Sequence, residues 1–221
     1  MSYALRVVFV SFVGFCIFSN CAPADESGFE SIFDGKSLAG WKVNERPESW
    51  SIVDGQIVAK GERSHLFYIG PNAEKPVEFK NFHFKAEVMT KPKANSGIYF
   101  HTKFQPEGWP DNGYEAQVNN SQGDPVRTGS LYNVVKNLVA PAKDDTWFTE
   151  EVMVIGKQIT ITVDGKIIVN HTEAAEDIKG GRKLSSGTFA FQAHDPGSEV
   201  HYKNIRVKRL PEVLYKKNRV K

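Results

Sequence analysis

The chain has 221 residues, with 28 Lys and Arg against 26 Asp and Glu and a net charge of +2. That length suits one domain with a single core, and the net charge argues neither for nor against a nucleic-acid partner. The only two cysteines, Cys16 and Cys21, sit near the start, so no disulfide framework is expected in the rest of the chain.

Residues 1–24 read as an export segment. Arg6 supplies the positive start, Val7 to Phe18 is almost wholly apolar and short for a membrane span, and Ala22-Pro-Ala24 gives a small-x-small cleavage site. Cleavage there would begin the mature chain at Asp25 and give a periplasmic or secreted protein with no stable membrane insertion. A lipid-bearing Cys21 is the rival reading, opposed by Asn20 where a small residue is wanted.

From Phe29 onward the chain alternates short apolar-periodic runs with turns. Phe29 to Trp41 reads as an opening strand and a Gly-rich turn. Trp50 to Ala59 reads as a hairpin around Asp54-Gly55, and His65 to Ile69 as another strand. Phe79 to Thr90 alternates strictly, with Phe82, Phe84, Ala86 and Val88 on one face. Glu150 to Asn170 repeats the hairpin pattern with Asp164-Gly165 as its turn, while Gly187–Ala193 and Val200–Lys208 close the set. This gives roughly ten to thirteen strands, the spacing of an all-β sandwich. No sustained 3.6 period occurs, and Glu173–Lys179 offers one helical turn at most. The basic residues from Lys203 to Lys221 read as a solvated end rather than a nucleic-acid surface, because no aromatic residues are interleaved as a stacking platform.

The chemistry gathers in two stretches. In the first, Gly97–Phe104 and Tyr114–Val118 read as paired strands, with Glu115 and Gln117 on one face and Tyr114, Ala116 and Val118 toward the core. The connecting loop carries Trp109, a candidate sugar-stacking platform. His101 falls on the face of Tyr99, opposite Ile98 and Phe100, and is a candidate ligand contact; Asn95-Ser96-Gly97 opens the stretch with an amide and a hydroxyl. In the second, Phe189 to His194 puts Gln192 and His194 on one face and Phe189, Phe191 and Ala193 on the other. Tyr132 and Lys136, beyond the first stretch, are candidates for a pocket wall. Trp41, Trp50 and Trp147 read as packing residues, and His65, His83, His171 and His201 as surface. No phosphate-binding glycine loop, zinc-protease helix motif or serine-hydrolase elbow is present.

The ordered pieces FESIFDGKSLAGWK, SWSIVDGQIVA, NFHFKAEV, ANSGIYF, GYEAQV, TGSLY, GKQITITVDGKII, GTFAFQAH and VHYKNIRVKRL resemble the 3-keto-disaccharide hydrolase domain over about Phe29 to Leu210. The resemblance implies a two-sheet, concanavalin A-like jelly roll in an exported protein acting on glycosides already oxidised at sugar C3. The domain organisation is then 1–24 export segment, 25–210 jelly-roll domain and 211–221 basic tail. The resemblance makes Glu115 the central pocket residue and, with His194, the expected catalytic pair. Asn95, Ser96, His101, Trp109, Gln117, Tyr132, Lys136 and Gln192 are the expected sugar contacts. His101 stands where the family carries an arginine. An amide at position 117 rules against a two-carboxylate retaining glycosidase on this strand. A 3-keto group instead acidifies the hydrogen at C2, which permits elimination followed by hydration; a divalent metal could serve as Lewis acid. The expected partner is a carbohydrate, not nucleic acid, and the oligomeric state is open. The alternative is a non-catalytic carbohydrate-binding module of the same fold.

Overall fold

A computed structural model describes residues 26–72 and 74–212. The expected export segment and residues 213–221 of the basic tail lie outside the described residues. Thirteen strands are present among those described. They are β1 (Glu30–Ser31), β2 (Trp41–Val43), β3 (Trp50–Val53), β4 (Gln56–Lys60), β5 (Ser64–Tyr68), β6 (Phe82–Thr90) and β7 (Ser96–Thr102). The remainder are β8 (Tyr114–Val118), β9 (Phe148–Ile155), β10 (Gln158–Val163), β11 (Lys166–Thr172), β12 (Thr188–Ala193) and β13 (Glu199–Arg209). Two single 3-10 turns, Pro47–Ser49 and Ala175–Asp177, complete the elements. The expected all-β class holds, and no described helix is long and apolar enough to cross a membrane.

The strands form two antiparallel sheets. One has the order β11-β10-β9-β6-β13-β4-β3, with β1 added beside β13; the other runs β2-β5-β12-β7-β8. Together they make a sandwich of the concanavalin A-like jelly-roll kind. The two Asp-Gly turns set the register of their hairpins: Asp54 and Gly55 have φ of 49° and 76°, and Asp164 and Gly165 have 48° and 75°. Such paired left-handed residues match the twist of the flanking strands, and Asp and Gly adopt them at least cost.

The core lies between the sheets because alternation turns every second side chain inward. Phe82, Phe84, Ala86 and Val88 of β6 are fully buried, as are Ile98 and Phe100 of β7 and Phe189 and Phe191 of β12. Rings tie the layers together: Phe84 meets Phe189 at 4.7 Å between centroids, and Phe191 stacks on Tyr202 at 4.2 Å. Trp41 and Trp50 are buried as expected. Trp147 is partly buried under the Lys203 ammonium, 4.0 Å above its ring.

Two expectations about charge need correction. Lys203, Arg206, Lys208 and Arg209 are not a solvated end; they stand on β13, a central strand of the larger sheet. Lys203, Arg206 and Lys208 occupy its outer face, where Arg206 pairs with Glu26 at 2.6 Å and Lys203 with Glu87 at 3.3 Å, while Arg209 at the end of the strand lays its guanidinium 4.2 Å over the Phe79 ring and donates to the Glu78 carbonyl. The four histidines expected on the surface also differ. His83, His171 and His201 are partly buried and each meets a carboxylate, Glu151, Asp177 and Glu199 respectively. His65 is completely buried.

Candidate functional site

The face of the smaller sheet turned away from the core carries the polar residues. In the β7–β8 pairing Tyr99 lies opposite Glu115 and Gly97 opposite Gln117. On β12, Gln192 shares that outward parity and lies opposite His65 of β5. Three loops cover this face, from 103 to 113, 119 to 147 and 173 to 187, and between them they leave a cleft of about 260 Å³. Seven of the ten expected site residues line it: Asn95, Trp109, Glu115, Gln117, Tyr132, Gln192 and His194.

Glu115 is at the floor, only 5% exposed. Its carboxylate leans diagonally over Gly97, where a Cβ would stand 2.1 Å from Oε1. That contact explains the glycine of the Asn-Ser-Gly run: a side chain there would occupy the carboxylate's place. Gln192 Nε2 donates both to Glu115 Oε1 at 3.1 Å and to the Tyr99 phenol oxygen at 2.9 Å. Burial pushes the Glu115 carboxyl up to about 7, against the opposing pull of the Tyr99 hydroxyl, the Arg182 guanidinium and the Gln192 amide. A carboxyl so placed exchanges a proton near neutrality. Gln117 Nε2 donates to Asn95 Oδ1 at 2.9 Å, which fixes both amides along one wall. The side-chain oxygen of Gln192, Oε1, is buried without a partner among the described residues, an acceptor open to a ligand hydroxyl.

His194 closes the other side. Its Nδ1 lies 2.7 Å from Asp195 Oδ2. Burial raises the Asp195 carboxyl, but hydrogen bonds from His194, the Ser198 hydroxyl and the Gly197 amide outweigh it and hold it below the usual carboxylate range. An ionised Asp195 only accepts, so Nδ1 carries the hydrogen and Nε2 is the nitrogen left for exchange.

Sequence reasoning missed four lining residues, Tyr99, Pro110, Asp124 and Arg182. Tyr99 was accessible from the hairpin register, which sets it across from Glu115. Asp124 and Arg182 come from loops without periodicity. Arg182 is carried in by the segment after β11: the Gly113 amide donates to the Gly181 carbonyl at 3.2 Å, and Glu173 Oε1 accepts from both the Tyr114 hydroxyl and the Leu184 amide. Arg182 Nη1 then donates to the Tyr132 carbonyl at 3.2 Å. The Tyr132 amide in turn donates to the Glu115 carbonyl, so the loop lies along the edge of β8 and covers it.

Three expected contacts are placed elsewhere. His101 has φ of 55° and is the extra residue of a β-bulge opposite Thr188 and Phe189. The bulge turns its ring against Phe82, where Nε2 donates to the Lys80 carbonyl at 2.9 Å and Nδ1 accepts from the Ser185 amide at 3.2 Å. Burial lowers its pKa to about 4, so it is a neutral packing residue. Ser96 has the inward parity of Ile98; its hydroxyl bonds the Gln192 carbonyl and lies 2.6 Å from the Tyr202 hydroxyl. Lys136 is exposed and does not line the cleft.

Among the described residues no three His, Cys, Asp or Glu side chains converge closely enough to hold a metal ion. The cleft's possible donors are the Glu115 and Asp124 carboxylates, the His194 ring and the side-chain oxygens of Asn95, Gln117 and Gln192; the steps below use no cation.

The comparisons with known proteins bear on the family and the fold. A 3-keto-disaccharide hydrolase of Bacteroides thetaiotaomicron is 32% identical over 83 residues, covering 35% of this chain and 29% of that protein. The match thus spans under a third of that relative's length. A candidate glycosyl hydrolase of Parabacteroides distasonis superimposes with a TM-score of 0.70 at 22% identity, covering 83% of this chain and 94% of that one. The carbohydrate-binding module CBM66 of Bacillus subtilis superimposes with a TM-score of 0.56 at 12% identity, covering 77% and 96%. At these identities the two structures show the fold alone. The model of the 3-keto-alpha-glucoside-1,2-lyase-like domain matches residues 28–208, and the chain belongs to that family.

Proposed function

We propose that this protein is an exported enzyme that cleaves 3-keto-glycosides by elimination and hydration, with Glu115 and His194 moving the protons. The observation that carries this reading is the single buried carboxylate, Glu115, set in a cleft beside two amides and facing a histidine oriented by Asp195. A double-displacement glycosidase needs two carboxylates flanking one bond; here the neighbour on the strand is an amide, Gln117.

In the proposed sequence Glu115 takes the hydrogen from C2, and the C2–H electrons form the enolate of the C3 ketone. Arg182 and the Gln192 amide supply positive charge and hydrogen bonds to the enolate oxygen. The enolate then expels the group at C1, and the C1–O bond breaks as His194 Nε2 gives a proton to the departing oxygen. The product is an enone. Water adds across it: neutral His194 takes a proton from water as oxygen bonds to C1, and Glu115 returns its proton to C2. Both residues end as they began, and the net change is hydrolysis. Gln117 and Asn95 hold sugar hydroxyls, and Trp109 supplies an apolar platform.

Incubation with a panel of 3-keto-disaccharides in D2O, with and without added divalent metal, tests this. Turnover with deuterium at C2 of the keto sugar is the expected result. The likeness to a carbohydrate-binding module keeps a second reading, binding without chemistry; tight binding with neither cleavage nor C2 exchange across the panel would establish it instead.

A further inference from the structure

His65 is fully buried, and neither ring nitrogen has a hydrogen-bond partner among the described residues. A buried ring nitrogen without a partner is costly, because it gives up its bonds to water and gains none in return. Packing does not require an imidazole there: Phe67, two residues on and facing the same way, fills its place with a ring that has no polar atom. Burial lowers the His65 pKa to about 3, so the ring is neutral and offers one donor and one acceptor. That pair complements a hydroxyl, which is itself donor and acceptor, and has no preference for an anion.

Two rings that line the cleft also pack on His65. The Trp109 indole stands edge-on over it at 5.4 Å between centroids, while Tyr99 closes the side at 5.4 Å. Trp109 is 43% exposed, lines the cleft and lies 5.6 Å from the His194 ring. The loop's backbone is fastened: Gln105 Nε2 donates to the carbonyls of Glu107 and Trp109, and Glu45 Oε1 accepts from the Gly108 amide. The indole is held only by ring contacts and by the Arg63 guanidinium 5.5 Å away. None of the bonds that fasten the loop involves the indole itself.

We infer that Trp109 and His65 form the subsite for the leaving-group sugar, in which the indole swings aside as a stacking platform and a sugar hydroxyl pairs with the uncovered imidazole. The assignment rests on the proposed role of His194 as proton donor to the leaving group, because Trp109 packs on that residue and not on Glu115. It extends the site beyond the oxidised ring to the sugar released.

The test compares two substrates sharing one oxidised ring, a 3-keto-disaccharide and the corresponding methyl 3-keto-glycoside. In His65→Phe the disaccharide-to-methyl-glycoside ratio of kcat/KM should fall about tenfold, and His65→Gln, which keeps a donor and an acceptor, should recover part of it. An unchanged ratio in a folded His65→Phe protein overturns the subsite, as does an equal loss on both substrates. Tryptophan fluorescence titrated with the unoxidised disaccharide gives an independent reading. A saturable change in the wild type that is lost in Trp109→Phe and weakened in His65→Gln supports the subsite even if no keto substrate is turned over, the result that would remove the proposed activity. No change in the wild type overturns the subsite while leaving that activity standing.

Discussion

Glu115 and Glu150 are two of the three glutamates buried among the described residues, and they differ in what surrounds them. Glu115 faces outward from the smaller sheet, beneath loops, with Gln192 donating to it and Tyr99 and Arg182 nearby. Glu150 faces inward from β9, between the sheets, with Ala86 and Val163 as its strand partners and no hydrogen bond to either oxygen. The Gly129 amide lies near it but already donates to the Gln117 carbonyl, so it offsets little. Burial raises both carboxyls, Glu115 to about 7 and Glu150 well above its ordinary value. The comparison teaches that burial alone does not make a catalytic carboxyl. Glu115 has partners that stabilise its charged form and lies in an open cleft, which suits it to the proposed proton transfer. Glu150 has neither, so it is held as a neutral acid and acts on stability alone.

The largest effect expected is on turnover. Glu115→Gln should keep the fold and lower kcat by about 10²–10⁴-fold, whereas Glu150→Gln should leave kcat near the wild-type value. Equal losses in the two variants would break the comparison. In the wild type, kcat/KM should rise with pH through about 7 as Glu115 ionises to become the base.

Stability against pH sharpens it next. Each folded-state pKa lies above the unfolded value of 4.5. The folded chain therefore holds protons that the unfolded chain has released, and stability falls as pH rises above 4.5. For Glu115 the loss accumulates up to about pH 7 and is on the order of 3 kcal/mol. For Glu150 it begins in the same place and continues as pH rises through its raised folded value. Urea unfolding from pH 4.5 to 8 should show both contributions in the wild type and a shallower decline in Glu150→Leu. A decline as steep as in the wild type would mean that Glu150 is not a buried neutral acid.

A smaller effect follows from the glycine under the carboxylate. Gly97→Ala places a Cβ against Glu115 Oε1 and should shift the carboxylate enough to lower kcat by about 10²-fold while the melting temperature changes little. Normal turnover in Gly97→Ala would show that the position of Glu115 is not critical. Smallest of all, Gln117→Ala removes a sugar contact and should raise KM by about three- to tenfold with kcat nearly kept; a fall in kcat alone would move Gln117 into the chemical step.

Alternation in the sequence was sufficient for the sandwich class, for both Asp-Gly hairpins and for the pairing of Glu115 with Gln117 and Gln192 with His194 on outward faces. These are local consequences of a two-residue period, and a two-residue period survives any arrangement of the strands. The same rule set Ser96 with Ile98, and hence toward the core, once its strand was taken to begin at Ser96. It failed at His101, because a bulge interrupts the period and no residue type announces one. Its outcome at Glu150 runs against charge: parity with Val152 and Val154 sends that carboxylate inward, and the packing of the strand prevails.

Tertiary structure alone decided the rest. Arg182 and Asp124 reach the cleft from loops whose course is set by distant hydrogen bonds, such as that from Gly113 to Gly181. His65 is covered by Trp109, which is 44 positions away in the chain, so its burial could not be read from the residues beside it. The 3-keto-glycoside chemistry was suggested by the order of motifs along the chain. The cleft that would perform it exists because three loops without periodicity close over one face of a periodic sheet, and loop paths follow contacts distant in sequence.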